Sequence, residues 1–182
     1  MTVALSNTPV LETERLVLRA PQAGDWPAWR AMMQTDRSEF IRSPGGFQED
    51  QAWRGFGHMI GHWVLRGWGQ FVFTRKGDTT ALGATGPWYP AGWAERELGW
   101  SVWSEAAEGQ GYAFEAARAA RDHAIHTLGW NTAVSYINPA NARSIALAER
   151  LGAVLDPAAA LPDLPDWDGT LVFRHPQEEH SA

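Results

Sequence analysis

Between residues 97 and 128 a strand-like run passes through a glycine pair straight into an alanine-rich helix, and this junction constrains the chain more than any other segment. Glu97 to Trp103 reads as a strand, and Gly109-Gln110-Gly111 follows it. A helix is predicted from about Tyr112 to Leu128, where Ala113, Ala116, Ala117, Ala119, Ala120 and Ala124 supply high intrinsic propensity. Gly109 and Gly111 have no Cβ, so a bulky anion can approach the backbone there. The free N–H groups of the first helical turn point at the loop, and the helix dipole adds roughly half a positive charge at that end. Such a junction can hold a phosphate without Lys or Arg. A tight turn with no ligand is the competing reading. The dinucleotide fingerprint is not met, because a third glycine and an early strand–turn–helix placement are missing, and the Gly-Lys-Ser/Thr phosphate loop is absent.

Around this junction the chain alternates strand and helix patterns. Glu12 to Arg19 alternates, with Leu16 and Leu18 on one side, and is expected to be the first strand. Gly24-Asp25 then opens a helix to about Gln34, with Asp25 as N-cap and Pro27 in the first turn. Ser43-Pro44-Gly45-Gly46 is a loop, and a second helix covers Glu49 to Arg66 through Ala52, Phe56, Ile60 and Trp63. Gln70 to Arg75 and Ala81 to Trp88 form a hairpin about Lys76-Gly77-Asp78. Pro90 to Ala94 connects to the Glu97 strand. Thr132 to Ile137 is a further strand, and Asn141 caps a short helix stopped by Gly152. Ala153 to Leu155 and Thr170 to Arg174 are the last strands, joined by a segment containing Pro157, Pro162 and Pro165. The order β-α-α-β-β-β-α-β-α-β-β predicts a three-layer α/β domain.

The 182 residues amount to about one domain, with no linker or internal repeat to divide them, so residues 1–182 are read as a single domain. A formal net charge of −6 argues against a general nucleic-acid or anionic-membrane binder and leaves room for a cationic substrate. The absence of cysteine excludes a Cys nucleophile, a thiolate metal site and disulfides. No apolar run approaches the roughly 20 residues that span a bilayer, and Met1 to Pro9 lacks the pattern of a signal peptide. A cytoplasmic location is the expectation. Eleven tryptophans are unusually many; packing is the expected role of a typical one, and those left partly exposed are candidates for a pocket wall or an interface.

Glu108-Gly109-Gln110-Gly111-Tyr112-Ala113 resembles the pyrophosphate-binding motif of the GNAT N-acetyltransferase superfamily, Gln/Arg-x-x-Gly-x-Gly/Ala. Leu11 to Arg19 resembles the opening strand of its RimJ/RimL-type branch, and Glu97-Leu98-Gly99-Trp100 the strand before the cofactor loop. Asn141-Ala142-Arg143-Ser144 with Glu149-Arg150-Leu151-Gly152 resembles that branch's Asn-x-x-Ser helix, and Leu171 to Arg174 its last strand. Two positions depart from the pattern. Glu108 stands where Gln or Arg is usual, which predicts weakened pyrophosphate binding, and Ala153 stands where Phe is usual.

The resemblance implies a GNAT-like fold: a central, mixed, mostly antiparallel twisted sheet with a splayed parallel strand pair, flanked by helices. It implies transfer of an acetyl group from acetyl-CoA, as co-substrate, to a primary amine in a direct ternary complex, with no metal. The acceptor would be a small-molecule amine or a protein N-terminus, and a homodimer is compatible with the branch. The cofactor-binding set would be Glu108, Gly109, Gln110, Gly111, Tyr112 and Ala113, with Asn138 and Asn141 at the pantetheine arm or ordering their loop. Backbone groups of Ser101, Val102 and Trp103 would pair with the pantetheine amides as an added strand does. Glu97 is the candidate base, against the reading of a solvated strand-start residue. Ser144 is the candidate donor to the CoA sulfur, against the reading of a first-turn residue bonding its own backbone. Tyr112 and Tyr136 match no catalytic position. His58 and His62 have a metal-ligand spacing but no evident third ligand, so a surface or acceptor-pocket pair is expected. Trp88, Tyr89 and Trp93 would form an aromatic wall suited to an apolar or cationic acceptor. A non-catalytic acyl-CoA-binding or sensing module on the same fold is the alternative.

Overall fold

The fold is that of a computed structural model, which describes residues 4–42, 45–163, 167 and 169–176. Ser43, Pro44, Pro165 and Met1 to Val3, named above, lie outside the described residues. One eight-stranded sheet runs through them in the order β1-β2-β3-β4-β5-β6-β8-β7. Its strands are β1 (Leu11–Glu12), β2 (Leu16–Arg19), β3 (Phe71–Arg75), β4 (Gly83–Trp88), β5 (Glu97–Val102), β6 (Val134–Ile137), β7 (Val154–Leu155) and β8 (Leu171–Arg174). The helices are α1 (Trp26–Met33), α2 (Glu49–Arg66), α3 (Tyr112–His126) and α4 (Ala142–Arg150). Every neighbouring pair of strands is antiparallel except β5 and β6.

Strand alternation divides the core between two faces. Val72, Ala84 and Trp103 pack with Trp29, Met32, Met33, Ala52, Phe56 and Met59 of α1 and α2. Leu16, Leu18, Phe71 and Phe73 pack instead against Ala116 and Ala120 of α3. The alanines that make α3 intrinsically stable therefore also let it lie close on the sheet. Helix α4 joins the same face through Leu147 and Leu151 against Ala117, and through Ala148 against Ile137 and Phe173.

Two local expectations are corrected. Glu12 to Arg19 is a hairpin rather than one strand: Leu11 faces Leu18 and Glu12 faces Val17, with Thr13 N–H donating to Leu16 O at 3.0 Å. The alternation of Leu16 and Leu18 was real, but the turn chemistry of Thr13 breaks the run before it. Asp25 does not cap α1 with its side chain. It is 2% exposed and receives Arg19 Nη1 and Nη2 at 2.8 and 2.7 Å and the Gln22 N–H at 2.9 Å. A fully paired buried carboxylate outweighs one cap bond.

Candidate active site

The parallel pairing of β5 and β6 has a single rung, Glu97 opposite Val134, with Val134 N–H donating to Arg96 O at 2.9 Å. Beyond it the strands part, and the hydroxyl of Ser135 reaches across to Leu98 O at 2.6 Å. His175 completes this bridge, its Nε2 2.9 Å from Ser135 Oγ. Because the hydroxyl hydrogen goes to Leu98, Nε2 is the protonated nitrogen. Burial pushes the His175 pKa down to about 4, so the ring stays neutral. The carbonyls of Arg96, Leu98 and Val102 all turn toward the gap, and alternation turns the Trp100 carbonyl there too. Trp103 N–H, by contrast, donates to Leu82 O on the β4 side at 2.7 Å, and Ser101 stands opposite Ala84 of that strand.

The gap opens toward the glycine loop. Gly109 and Gly111 take φ of +69° and +77°, values that a side chain would strain. A Cβ at Gly109 would meet nothing within 4 Å. Gly111 begins α3 with no side-chain cap, which leaves the N–H groups of Tyr112, Ala113 and Phe114 directed at the loop. The β1–β2 turn fixes this helix end from outside. Glu115 accepts from Thr13 Oγ1, Arg15 N–H and Arg15 Nε, and Arg15 also donates to Gln110 O at 3.0 Å and lies over the Tyr112 ring. Burial would raise the Glu115 pKa, but these hydrogen bonds outweigh it and hold it below the ordinary value.

Glu108 is held by two arginines. Its carboxylate accepts from Arg37 Nε at 2.7 Å and Arg143 Nη1 at 2.9 Å. Arg37 also donates to Val102 O at 2.8 Å and Trp103 O at 3.3 Å, tying loop and strand together. The acidic substitution thus brings its own two cations. Sequence reading missed both: Arg37 lies 71 positions away with no local signal, and Arg143 appears only as a spacer between Asn141 and Ser144.

Ser144 stands across the gap from β5, where its Oγ accepts from Trp100 Nε1 at 3.2 Å, and its N–H donates to Asn141 Oδ1 at 3.1 Å. Accepting from Trp100 leaves the hydroxyl hydrogen of Ser144 directed elsewhere. Asn141 is a side-chain cap, and Asn138 orders the preceding turn by accepting from Ala140 N–H at 2.9 Å. Val102 O and Trp103 N–H are already engaged, which makes Trp100 the residue of β5 whose backbone faces the gap between the Leu98 and Val102 bonds.

On the opposite face of β5, Glu97 Oε2 accepts the indole N–H of Trp93 at 2.6 Å. Burial raises the Glu97 pKa to about 7, against the lowering effect of that bond. Trp88, paired with Glu97 across the strands, stacks on His62 at 4.6 Å and meets His58 edge-on. His62 is buried rather than a surface residue. Its Nδ1 donates to Trp68 O at 2.9 Å and its Nε2 accepts Tyr89 N–H at 3.0 Å, so both nitrogens are committed to the backbone of Trp68 and Tyr89. Tyr136 OH accepts from Glu95 N–H and donates to Ala160 O, and burial raises its pKa to about 12.

The sequence matches the acetyltransferase (GNAT) domain family over residues 15–154. This chain belongs to the GNAT acetyltransferase family. A crystal structure of an acetyltransferase from Agrobacterium tumefaciens superposes with a TM-score of 0.84 at 37% identity, over 97% of this chain and 99% of that one. A protein from Bordetella pertussis assigned to the GnaT family superposes with a TM-score of 0.73 at 28% identity, over 92% and 99% of the two chains. RimL, a ribosomal L7/L12 alpha-N-protein acetyltransferase in complex with coenzyme A, shares the fold at 17% identity, with a TM-score of 0.67 over 91% and 96%. GNAT acetyltransferases use acetyl-CoA, and the loop of this GNAT domain fits a pyrophosphate: two left-handed glycines, an uncapped helix start, and an acidic neighbour already neutralised by arginines.

Proposed function

We propose that this GNAT protein, of the RimJ/RimL type, acetylates a primary amine by direct transfer within a ternary complex, as a cytoplasmic enzyme whose residues 1–182 form one domain. Acetyl-CoA supplies the activated thioester. The chain would hold its pyrophosphate with the backbone of Gly109, Gln110, Gly111, Tyr112 and Ala113, and its pantetheine arm in the gap beside Trp100 and Val102, near Asn138 and Asn141. Glu97 takes a proton from the acceptor nitrogen, directly or through one water, as the nitrogen bonds to the acetyl carbon. The carbon–sulfur bond breaks as that bond forms, and the Ser144 hydroxyl donates a hydrogen bond to the departing sulfur. The acceptor is a small-molecule amine or a protein N-terminus.

The observation that carries this reading is the position of Glu97: it stands at the last rung before the strands part, with a pKa of about 7, where a carboxylate can accept a proton near neutral pH. Calorimetric titration with acetyl-CoA, with Gly111→Trp as a blocked control, is the first test, followed by thiol release over a panel of amines. Binding that the control abolishes, together with turnover that Glu97→Gln abolishes, supports the assignment. Binding without turnover of any amine supports the non-catalytic acyl-CoA module instead.

A further inference from the structure

Three aromatic rings meet at the Glu97 corner. Trp93 and Tyr136 each stand edge-on to Trp167, with centroids 5.3 Å away and planes at 80° and 86°. Edge-to-face contacts pack the three rings into one cluster, and each ring is only half-buried, so part of its surface stays open. The acid borders this cluster, since Trp93 holds it through the indole N–H. Both hydrogen-bonding directions of the Tyr136 hydroxyl are used by the backbone, so that residue offers a neutral ring.

The charges around this corner are equally specific. Arg174 stands on β8 opposite Val134 of the Tyr136 strand. It is bound to Glu95 through Nη1 and Nη2 at 2.8 and 2.9 Å, and to Asp156 through Nε at 2.6 Å. With a further bond from Nη1 to Thr132 Oγ1 at 3.0 Å, four of its five N–H groups are taken, and its single charge is matched by two carboxylates. An acceptor carrying its own carboxylate would bring that charge toward Glu95, Glu97 and Asp156, where the one cation named is already matched by two carboxylates.

Resting on the acetyltransferase reading above, we infer that the acceptor is a small amine with a flat apolar or aromatic body and no carboxylate, its body laid against the open surfaces of Trp93, Tyr136 and Trp167 and its nitrogen at Glu97. An ammonium arriving there faces both the π surfaces and the acid. A peptide N-terminus would have to bring a chain of backbone amides against a cluster of rings.

The test compares three acceptors by thiol release at saturating acetyl-CoA: 2-phenylethylamine, phenylalanine, and a short peptide with a free N-terminus. The kcat/KM for 2-phenylethylamine is expected to exceed the other two by about tenfold or more. Trp167→Leu, which leaves the Trp93–Glu97 bond intact, is expected to raise KM for 2-phenylethylamine about fivefold. It should leave kcat and the KM for acetyl-CoA nearly unchanged, and Trp167→Phe should restore most of the loss. Equal or better use of phenylalanine or the peptide, or an unmoved KM in Trp167→Leu, overturns the inference while leaving the transferase assignment standing. Acetyl-CoA binding with no thiol release for any amine removes both.

Discussion

The hydroxyl of Ser135 donates to the carbonyl oxygen of Leu98 at 2.6 Å, across the point where β5 and β6 have ceased to pair. A side chain there does what a ladder bond does elsewhere, satisfying a buried acceptor while the backbones stay apart. Ser135→Ala would leave Leu98 O and both nitrogens of His175 without partners inside the protein. We expect a loss of about 1–3 kcal/mol, read by urea denaturation.

Glu97 gives a pH signature. Its ionised form prevails only above about 7, so kcat/KM should rise with pH through that value and then level. Glu97→Gln should lose activity and the inflection together. Because folding raises this pKa, the folded chain holds the proton more firmly than the unfolded one. The stability this contributes is present at low pH and is lost as pH rises toward and through about 7. Glu97→Gln should therefore be the more stable protein at pH 8, by about 1–2 kcal/mol, and a pair of melting curves at pH 5 and 8 checks it.

Glu108 is the family departure with a compensating structure. In Glu108→Gln, Arg37 and Arg143 lose their shared anion, and while Arg37 stays bound to the carbonyls of Val102 and Trp103, Arg143 becomes available to the pyrophosphate. We expect acetyl-CoA to bind about three- to tenfold tighter at low salt, with the gain shrinking at high salt. Arg143→Ala should move affinity in the opposite direction. Calorimetry at two ionic strengths separates these outcomes.

Asp25 anchors the entry to α1. Asp25→Asn would leave the guanidinium of Arg19 enclosed without its counter-charge. Breaking such a pair costs about 3–5 kcal/mol, and we expect a fall in Tm of roughly 10 °C in differential scanning calorimetry, with acetyl-CoA affinity preserved in the folded protein.

Much of this molecule could be read in the sequence because its signals are local. Helix α2 begins at Glu49 and ends at Arg66 as its apolar spacing predicts, and Asn141 caps α4 through Ser144. The glycine pair takes the left-handed backbone that only glycine adopts freely. What could not be read depends on long-range pairing. Arg37 meets Glu108 across 71 positions and Glu115 meets Arg15 across 100, and neither contact leaves a periodic trace. Asp25 looked like a helix cap because its nearest neighbours suggest one, and only the fold brings Arg19 to it. His62 had the spacing of a metal ligand, yet both its nitrogens are spent on backbone groups of two loops.

The two faces of the sheet divide the chemistry. Glu97 points toward the side of α2, whereas Trp100 and Ser144 meet on the side of α3 and α4, one strand's thickness away. A change in the aromatic corner therefore need not disturb the loop, and a change in the loop need not disturb the corner. On the acetyltransferase reading, selection for a new acceptor can explore Tyr136 and Trp167 as an independent module while Trp93 keeps its bond to Glu97, and a combinatorial library limited to those two positions would keep the acyl donor while changing the amine.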